Sequence, residues 1–367
     1  MIGELWICSG QSNMEMPMKG YKNQPIEGAD MVILRSTNPS LRLFTVKRHS
    51  TLLPQYDVTG TWNEAMPTTV REFSATAYYF GRLLNELLDV PVGLIVTAWG
   101  GSAAEAWMTE EMLRAFPEVR IPRTDADITS PNRTPTTLYN GMLHPLIGIT
   151  MRGVIWYQGC NNVGRAEEYE SLFQTLITDW RKQFGQPDMP FYFVQLANYL
   201  DRKLVQADSP WAALREAQSQ AQHLAHTGMA ANIDIGEAHD IHPKNKQEVA
   251  RRLAVISLAD TYGQKIPAQA PVYDDYTVEN GKVRISFTIP AIGERFEQNK
   301  DIKGFTIAGP DHVFYPAEAY TDGDEVVVYS HYVKVPVAVR YGWADNPECT
   351  LRTPTNLPVA PFRTDNW

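Results

Sequence analysis

The sequence predicts an α/β protein with a central parallel sheet and a small C-terminal antiparallel β subdomain. Three observations predict it. Apolar, strand-like runs alternate with stretches of helical period as far as Gly263, the pattern of a parallel sheet with helices on both faces. Three of those runs end in small, Gly-containing polar turns, and a fourth leads into an Asp/His turn. Beyond Gly263 the period shortens to the alternation of hairpin strands.

Taken in order, Leu5-Trp6-Ile7-Cys8 is a short apolar strand that ends in Ser9-Gly10-Gln11-Ser12-Asn13. Residues 41–46 read as extended, and Phe73, Ala77, Phe80, Leu83, Leu84, Leu87 and Leu88 recur at helical spacing. Residues 92–98 form a near-continuous apolar strand ending in Trp99-Gly100-Gly101-Ser102. Thr109, followed by Glu110 and Glu111, has the form of a helix N-cap with acidic residues in the first turn. Residues 120–137 are polar and contain Pro122, Pro131 and Pro135, a loop of the length that often serves function. The strand 153–158 ends in Gly159-Cys160-Asn161-Asn162, and a helix follows with Tyr169, Leu172, Phe173, Leu176, Ile177, Trp180 and Phe184 on one face. A strand at 191–196, a helix at 211–225 and a strand at 229–235 lead to His239-Asp240-Ile241-His242-Pro243 and a helix over 246–262. Residues 273–288 alternate around Asn280-Gly281, a hairpin signal, and 304–308, 325–329 and 336–341 are further short strands. This divides the chain into a catalytic domain at 1–263, a β subdomain at 264–345 and a Pro-rich tail at 346–367 that packs on the catalytic domain.

Composition narrows the function. A chain of 367 residues, 44% hydrophobic and 20% charged, is long enough for one large core and an appendage. A net charge of −9 argues against a nucleic-acid partner, and no apolar run approaches the length of a membrane span. Cys8, Cys160 and Cys349 form neither a disulfide framework nor a CxxC pattern. The chain enters its first strand without a charged-then-apolar leader, which predicts that a leader or an upstream domain has been removed. His239, Asp240 and His242 carry ligand chemistry but lie too close together to surround one ion, so no metal and no cofactor are expected.

In a parallel sheet the strand-end turns share one edge, where open α/β sheets carry their ligands. Acyl transfer by serine needs a hydroxyl, a base, a carboxylate to orient the base, and donors for the oxyanion. Those turns supply all four. Ser12 is the candidate nucleophile and a backbone donor; Gly101, or its neighbour Gly100, is the second donor, and the Asn162 amide the third. His242 is the candidate base, with Asp240 or Asp234 to orient it, and His144 a loop residue at the border of the site. Each group alone has an ordinary structural reading as a turn, cap or helix entry. Their coincidence at the ends of neighbouring strands is what points to catalysis.

The motifs themselves resemble a known family. Gly10-Gln11-Ser12-Asn13-Met14, Trp99-Gly100-Gly101-Ser102 with Glu105 and Trp107, Trp156-Tyr157-Gln158-Gly159, and Asp240-Ile241-His242-Pro243-Lys244-Asn245-Lys246-Gln247 look like the blocks of the sialate O-acetylesterases. That family belongs to the SGNH hydrolase superfamily and is similar to the esterases that deacetylate xylan. The resemblance implies a three-layer α/β/α sandwich and a serine esterase acting on acetylated carbohydrate, most of all O-acetylated sialic acid, at a periplasmic or secreted address. It implies Ser12 as nucleophile, His242 as base, an oxyanion hole of Ser12, Gly101 and Asn162, and a substrate pocket bordered by Gln11, Gln158, Trp107 and His144. Two departures leave alternatives. Cys160 and Asn161 replace the Glu and Ser of the family's third block, so Asn161 is an alternative donor. The usual Asp-x-x-His spacing falls on His239, so Asp240 is the first choice for the orienting carboxylate, Asp234 the second, and a backbone carbonyl the third. An acetylxylan esterase of the same fold and a non-catalytic sugar-binding protein are the competing readings. A lipase or thioesterase would carry a Gly-x-Ser-x-Gly elbow, which the Ser12 turn is not.

Overall fold

The computed structural model describes residues 2–367. They fall into two compact units. The first takes in residues up to Val194 with Ala217–Ala230 and Lys244–Ser257; the second takes in Gln195–Glu216, Ala231–Pro243 and Leu258–Trp367.

The first unit is built on a seven-stranded sheet in the order β3-β2-β4-β1-β5-β6-β7. In chain order its elements begin with β1 (Glu4–Gly10), the short helices α1 (Ser12–Glu15) and α2 (Ala29–Leu34), and β2 (Asn38–Thr45). There follow β3 (Asn63–Ala65), the single turn α3 (Pro67–Val70), the long helix α4 (Ala75–Leu88), β4 (Val92–Ala98) and the turn α5 (Glu110–Leu113). The sheet is completed by β5 (Gly153–Tyr157), the long helix α6 (Ala166–Gln183), β6 (Phe191–Val194) and β7 (Thr227–Ala230). Helices α7 (Pro210–Gln220) and α8 (Lys246–Asp260) flank β7 in the chain. Six strands are parallel, and β3 pairs antiparallel with β2 at the edge.

The central strands are apolar because helices cover both of their faces. Trp6, Ile7 and Cys8 of β1, Leu94 of β4, and Val154, Ile155 and Trp156 of β5 are buried, as are Trp180 of α6 and Phe80 of α4. Trp156 lies at the centre of an aromatic cluster with Phe173, Trp180, Phe191 and Trp107. Each such ring contributes about 1.5–3 kcal/mol by leaving water. Helix α4 starts at Ser74, whose Oγ accepts from Ala77 N at 3.1 Å, and α6 carries Glu167 and Glu168 in its first turn and Arg181 and Lys182 in its last, matching the helix dipole.

The second unit holds two four-stranded sheets, β11-β10-β14-β15 and β12-β13-β9-β8. Their strands are β8 (Val272–Glu279), β9 (Lys282–Thr288), β10 (Phe305–Ala308), β11 (Phe314–Pro316), β12 (Glu318–Asp322), β13 (Glu325–Tyr329), β14 (Ala338–Tyr341) and β15 (Phe362–Arg363). The β8–β9 hairpin turns on Asn280 and Gly281, both at positive φ, as that dipeptide predicts. Val283, Ile285, Ile307, Val326, Val328, Val339 and Leu351 fill its core. The end of the chain supplies β15, and the Arg340–Asp365 pair at 2.6 Å beneath it is buried. No helix among the described residues is long and apolar enough to cross a membrane.

Register places the chemistry of the first unit. Gly10, the last residue of β1, pairs with Ala98 of β4 on one side and Tyr157 of β5 on the other. All three strands therefore stop at one level, and the turns after them emerge side by side. Gly10 has φ +133°, and a methyl group there would stand 2.2 Å from the Tyr157 carbonyl oxygen. Only glycine fits. Gly10→Ala is expected to lower stability by about 2–4 kcal/mol, through strain and overlap together. The urea-unfolding midpoint of the variant against the parent chain is the check.

Candidate active site

The turn after β1 is clamped from several sides. Gln11 donates its N–H to Tyr157 O at 2.9 Å, and its Oε1 accepts from Gly159 N at 3.1 Å. Ser12 then opens α1, half-buried, with its carbonyl accepting from Met16 N at 2.8 Å and from the Tyr21 hydroxyl at 3.4 Å. Behind it Asn13 is buried, and its Oδ1 accepts from the ammonium of the fully buried Lys246. Thr76 Oγ1 holds Asn13 O at 3.0 Å, and Ser74 Oγ holds Met14 O at 2.6 Å. The backbone carrying Ser12 is fixed before any substrate arrives.

The second turn lies against the first. Gly100 donates its N–H to Glu15 Oε2 at 2.7 Å, and a methyl group at Gly100 would stand 3.4 Å from Ser12 Cβ. Gly101 takes φ +70°, a conformation that favours glycine, and its N–H has no acceptor among the described residues. Between the two expected donors, Gly100 is thus engaged by Glu15 while Gly101 is not. Asn132 Nδ2 donates to Gly100 O at 2.7 Å and holds the turn from the long 120–137 loop. Glu15 also accepts from Arg48 Nε at 2.6 Å, and the Arg48 guanidinium lies 5.4 Å from the centre of the Trp99 ring.

The third turn presents a buried amide in one fixed orientation. Asn162 Oδ1 accepts from Gln158 Nε2 at 2.7 Å and Ala104 N at 3.2 Å, and its Nδ2 donates to Glu105 Oε2 at 3.1 Å. Glu105 is itself buried and accepts from Arg165 Nη1 at 2.5 Å. The amide has one further N–H, so it retains a donor for an incoming oxygen. Asn161 is half-buried beside it. Burial pushes the Cys160 thiol up to about 12, so at neutral pH it is no thiolate nucleophile.

Two of the residues expected to border the substrate are buried ties, and a third, His144, is half-buried and holds a loop. Trp107 and Gln158 are both fully buried and offer no surface to a sugar. Trp107 Nε1 donates to Ser102 Oγ at 3.0 Å, and its carbonyl accepts from Trp180 Nε1 at 2.9 Å. Gln158 joins Asn162, Ser102 O and the Tyr169 hydroxyl. His144 Nδ1 lies 2.7 Å from Gln55 O; a carbonyl only accepts, so Nδ1 carries the proton and the ring secures the 47–59 loop. Their large or polar side chains gave no sign in the sequence of being buried ties. Gln11, at the start of the Ser12 turn, is itself buried, with its side-chain oxygen taken by Gly159 N.

Within the second unit, one Asp240 oxygen accepts from His242 N at 2.9 Å and stands 3.4 Å from His242 Nδ1, with both side chains mostly buried. That separation is longer than an ordinary N–H···O hydrogen bond. Burial keeps the Tyr341 hydroxyl and the Cys349 thiol protonated, and the charge of Asp234 adds to that as a smaller contribution. His239 is exposed. No group of three or more His, Cys, Asp or Glu side chains among the described residues is placed to hold a metal ion. Glu15, Arg48, Asn132, Glu105 and Lys246 are the site's neighbours that motif reasoning gave no role; Glu105 and Lys246 lie inside the motif blocks, which was the available signal.

Comparison with known proteins is consistent across the chain. Residues 2–259 match the family described as carbohydrate esterase, sialic acid-specific acetylesterase. The chain is 30% identical to the sialate O-acetylesterase of Homo sapiens, over 99% of this chain and 75% of that protein. It is 28% identical to the sialate O-acetylesterase of Mus musculus, over 99% of this chain and 77% of that protein. A carbohydrate acetylesterase from Xanthomonas citri has a crystal structure that superposes with a TM-score of 0.90 at 38% identity, covering 100% of this chain and 81% of that one.

Removing Glu105 tests how the third turn is held. Glu105→Ala leaves Asn162 Nδ2 without its buried acceptor and is expected to cost about 1–3 kcal/mol in stability. Glu105→Gln keeps an acceptor oxygen and is expected to cost less. Urea titrations of both variants make the comparison.

Proposed function

The chain belongs to the sialic acid-specific acetylesterase family of carbohydrate esterases and is a carbohydrate O-acetylesterase of the SGNH-like fold; from that premise we propose that it deacetylates O-acetylated sialic acid through an acetyl-Ser12 intermediate. The observation that carries the mechanism is the shared level at which β1, β4 and β5 end, which sets the Ser12, Gly101 and Asn162 turns side by side. His242 takes the proton from Ser12 Oγ as that oxygen attacks the acetyl carbonyl. Charge gathers on the carbonyl oxygen, facing the N–H groups of Ser12 and Gly101 and the free N–H of Asn162. Collapse returns the proton from His242 to the leaving sugar oxygen, and water, activated by the same imidazole, releases acetate. Asp240 orients the ring; its 3.4 Å approach to Nδ1 supports it over Asp234. The sialic acid reading rests on the mammalian relatives, and acetylated xylan is the competing substrate. On family grounds we place the enzyme outside the cytoplasm, which fractionation of the producing cells checks.

Acetate release from 9-O-acetylated sialic acid and from acetylated xylan, measured side by side, tests the assignment. The sialic acid derivative is expected to be the better substrate, and Ser12→Ala to lower kcat by about 10⁴-fold or more. Asn162→Ala should cost roughly 10²–10³-fold in kcat, and Asn161→Ala far less. Sugar binding without acetate release would instead mark a non-catalytic lectin. A rate that rises with acyl chains longer than acetyl would mark a lipase or thioesterase.

A further inference from the structure

We infer that Arg48 is the specificity residue of this site and receives a carboxylate group of the substrate on its outer guanidinium edge. The inference rests on the sialic acid reading for the identity of the acid, and on four observations for the place.

The first is the tether. Arg48 Nε donates to Glu15 Oε1 at 2.6 Å, while Glu15 Oε2 accepts from Gly100 N at 2.7 Å, so one carboxylate joins the arginine to the turn that abuts Ser12. Glu15 stands three residues after Ser12 in α1, on the same side of that turn. The second is the face. The guanidinium carbon lies 5.4 Å from the centre of the Trp99 ring, a cation–π contact that holds the head group beside the second turn.

The third is what remains open. Nη1 and Nη2 of Arg48 have no acceptor among the described residues, and the side chain is 52% exposed. A guanidinium held by Nε presents its other edge as two parallel donors, the geometry that matches a carboxylate bidentately. Glu15 offsets part of the guanidinium charge, but its two oxygens are engaged by Nε and by Gly100 N and so do not compete for the outer Nη donors. The fourth is the backbone. Val46 N bonds Val96 O at 2.9 Å, Lys47 N bonds Thr59 O at 2.9 Å, and Asn140 Nδ2 holds Leu52 O at 2.7 Å. The loop that carries Arg48 is pinned on both sides, so little ordering is left to be done on binding. A neutral sugar offers such a fork only single hydroxyl oxygens, whereas the carboxylate of an acidic sugar matches both its charge and its paired geometry.

The test separates recognition of the acid from turnover of the acetyl group. N-acetylneuraminic acid and its C1 methyl ester, in which the carboxylate is blocked, are compared as inhibitors of 4-nitrophenyl acetate hydrolysis by the parent enzyme, Arg48→Met and Arg48→Lys. In parallel, kcat and KM are measured on 9-O-acetylated sialic acid and on its methyl ester. For the parent enzyme the acid is expected to bind roughly 10–100-fold more tightly than the ester, the range for a hydrogen-bonded charge pair. In Arg48→Met the ratio should fall to near one, with the loss in KM rather than kcat; Arg48→Lys, with charge but no fork, should fall between. Equal inhibition by acid and ester in the parent enzyme would overturn the inference, as would a ratio unchanged in Arg48→Met. If the acid inhibits through Arg48 yet its acetyl derivative is turned over more slowly than acetylated xylan, the carboxylate site stands and the sialic acid reading falls.

Discussion

Much of the first unit follows from one close approach, that of Gly10 to the Tyr157 carbonyl. A strand that may not carry a side chain at its last position can be brought flush against its neighbour, and both β4 and β5 then end level with it. Three turns emerge from the sheet within reach of each other, each beginning where strand pairing stops. The result is a constellation whose spacing is set by β-sheet register rather than by flexible loops, which is what preorganised stabilisation of an oxyanion requires.

Ionic groups hold those turns from behind. Lys246 reaches Asn13 and lies 5.4 Å from the Tyr157 ring; Glu105 ties Asn162 to Arg165; Glu15 ties Gly100 to Arg48. A buried charge is weak evidence of stability, since its desolvation offsets much of what the pair returns. Its value here is geometric. Each of the three meets two partners in different directions, so each defines an orientation that packing alone would leave free.

The elements easiest to read in the sequence were those with strong period and clean ends. The strand Val92–Ala98, the face of α6, and the Asn280-Gly281 hairpin were all legible, because burial on both faces, a 3.6-residue stripe and a left-handed turn each leave a local mark. The edge strand β3 and the short strands β11 and β12 left none: three to five residues, partly exposed, carry too little alternation to be distinguished from loop. The strand expected at 229–235 is shorter, Thr227–Ala230, because Asn232 and Asp234 follow directly and favour turn over ladder. At the site, the turn residues announced themselves through glycine and asparagine. The ties behind them did not, since Trp107 is bonded to Trp180, Gln158 to Ser102 and Glu105 to Asn162, each more than fifty residues away. Arg48 sits in a stretch with no motif, and its meaning comes only from Glu15, thirty-three positions earlier.

Glu15 serves two neighbours with one carboxylate, and this makes substitutions at its two ends unequal. One oxygen belongs to the glycine turn beside the nucleophile and the other to the arginine that faces outward. Replacing the arginine removes no partner of the inner bond, which joins Glu15 to Gly100 alone. Replacing the glutamate disturbs both at once. On the role inferred for Arg48, a substitution at position 48 touches recognition alone and one at position 15 touches both ends, an asymmetry set by which oxygen of a single side chain each neighbour uses.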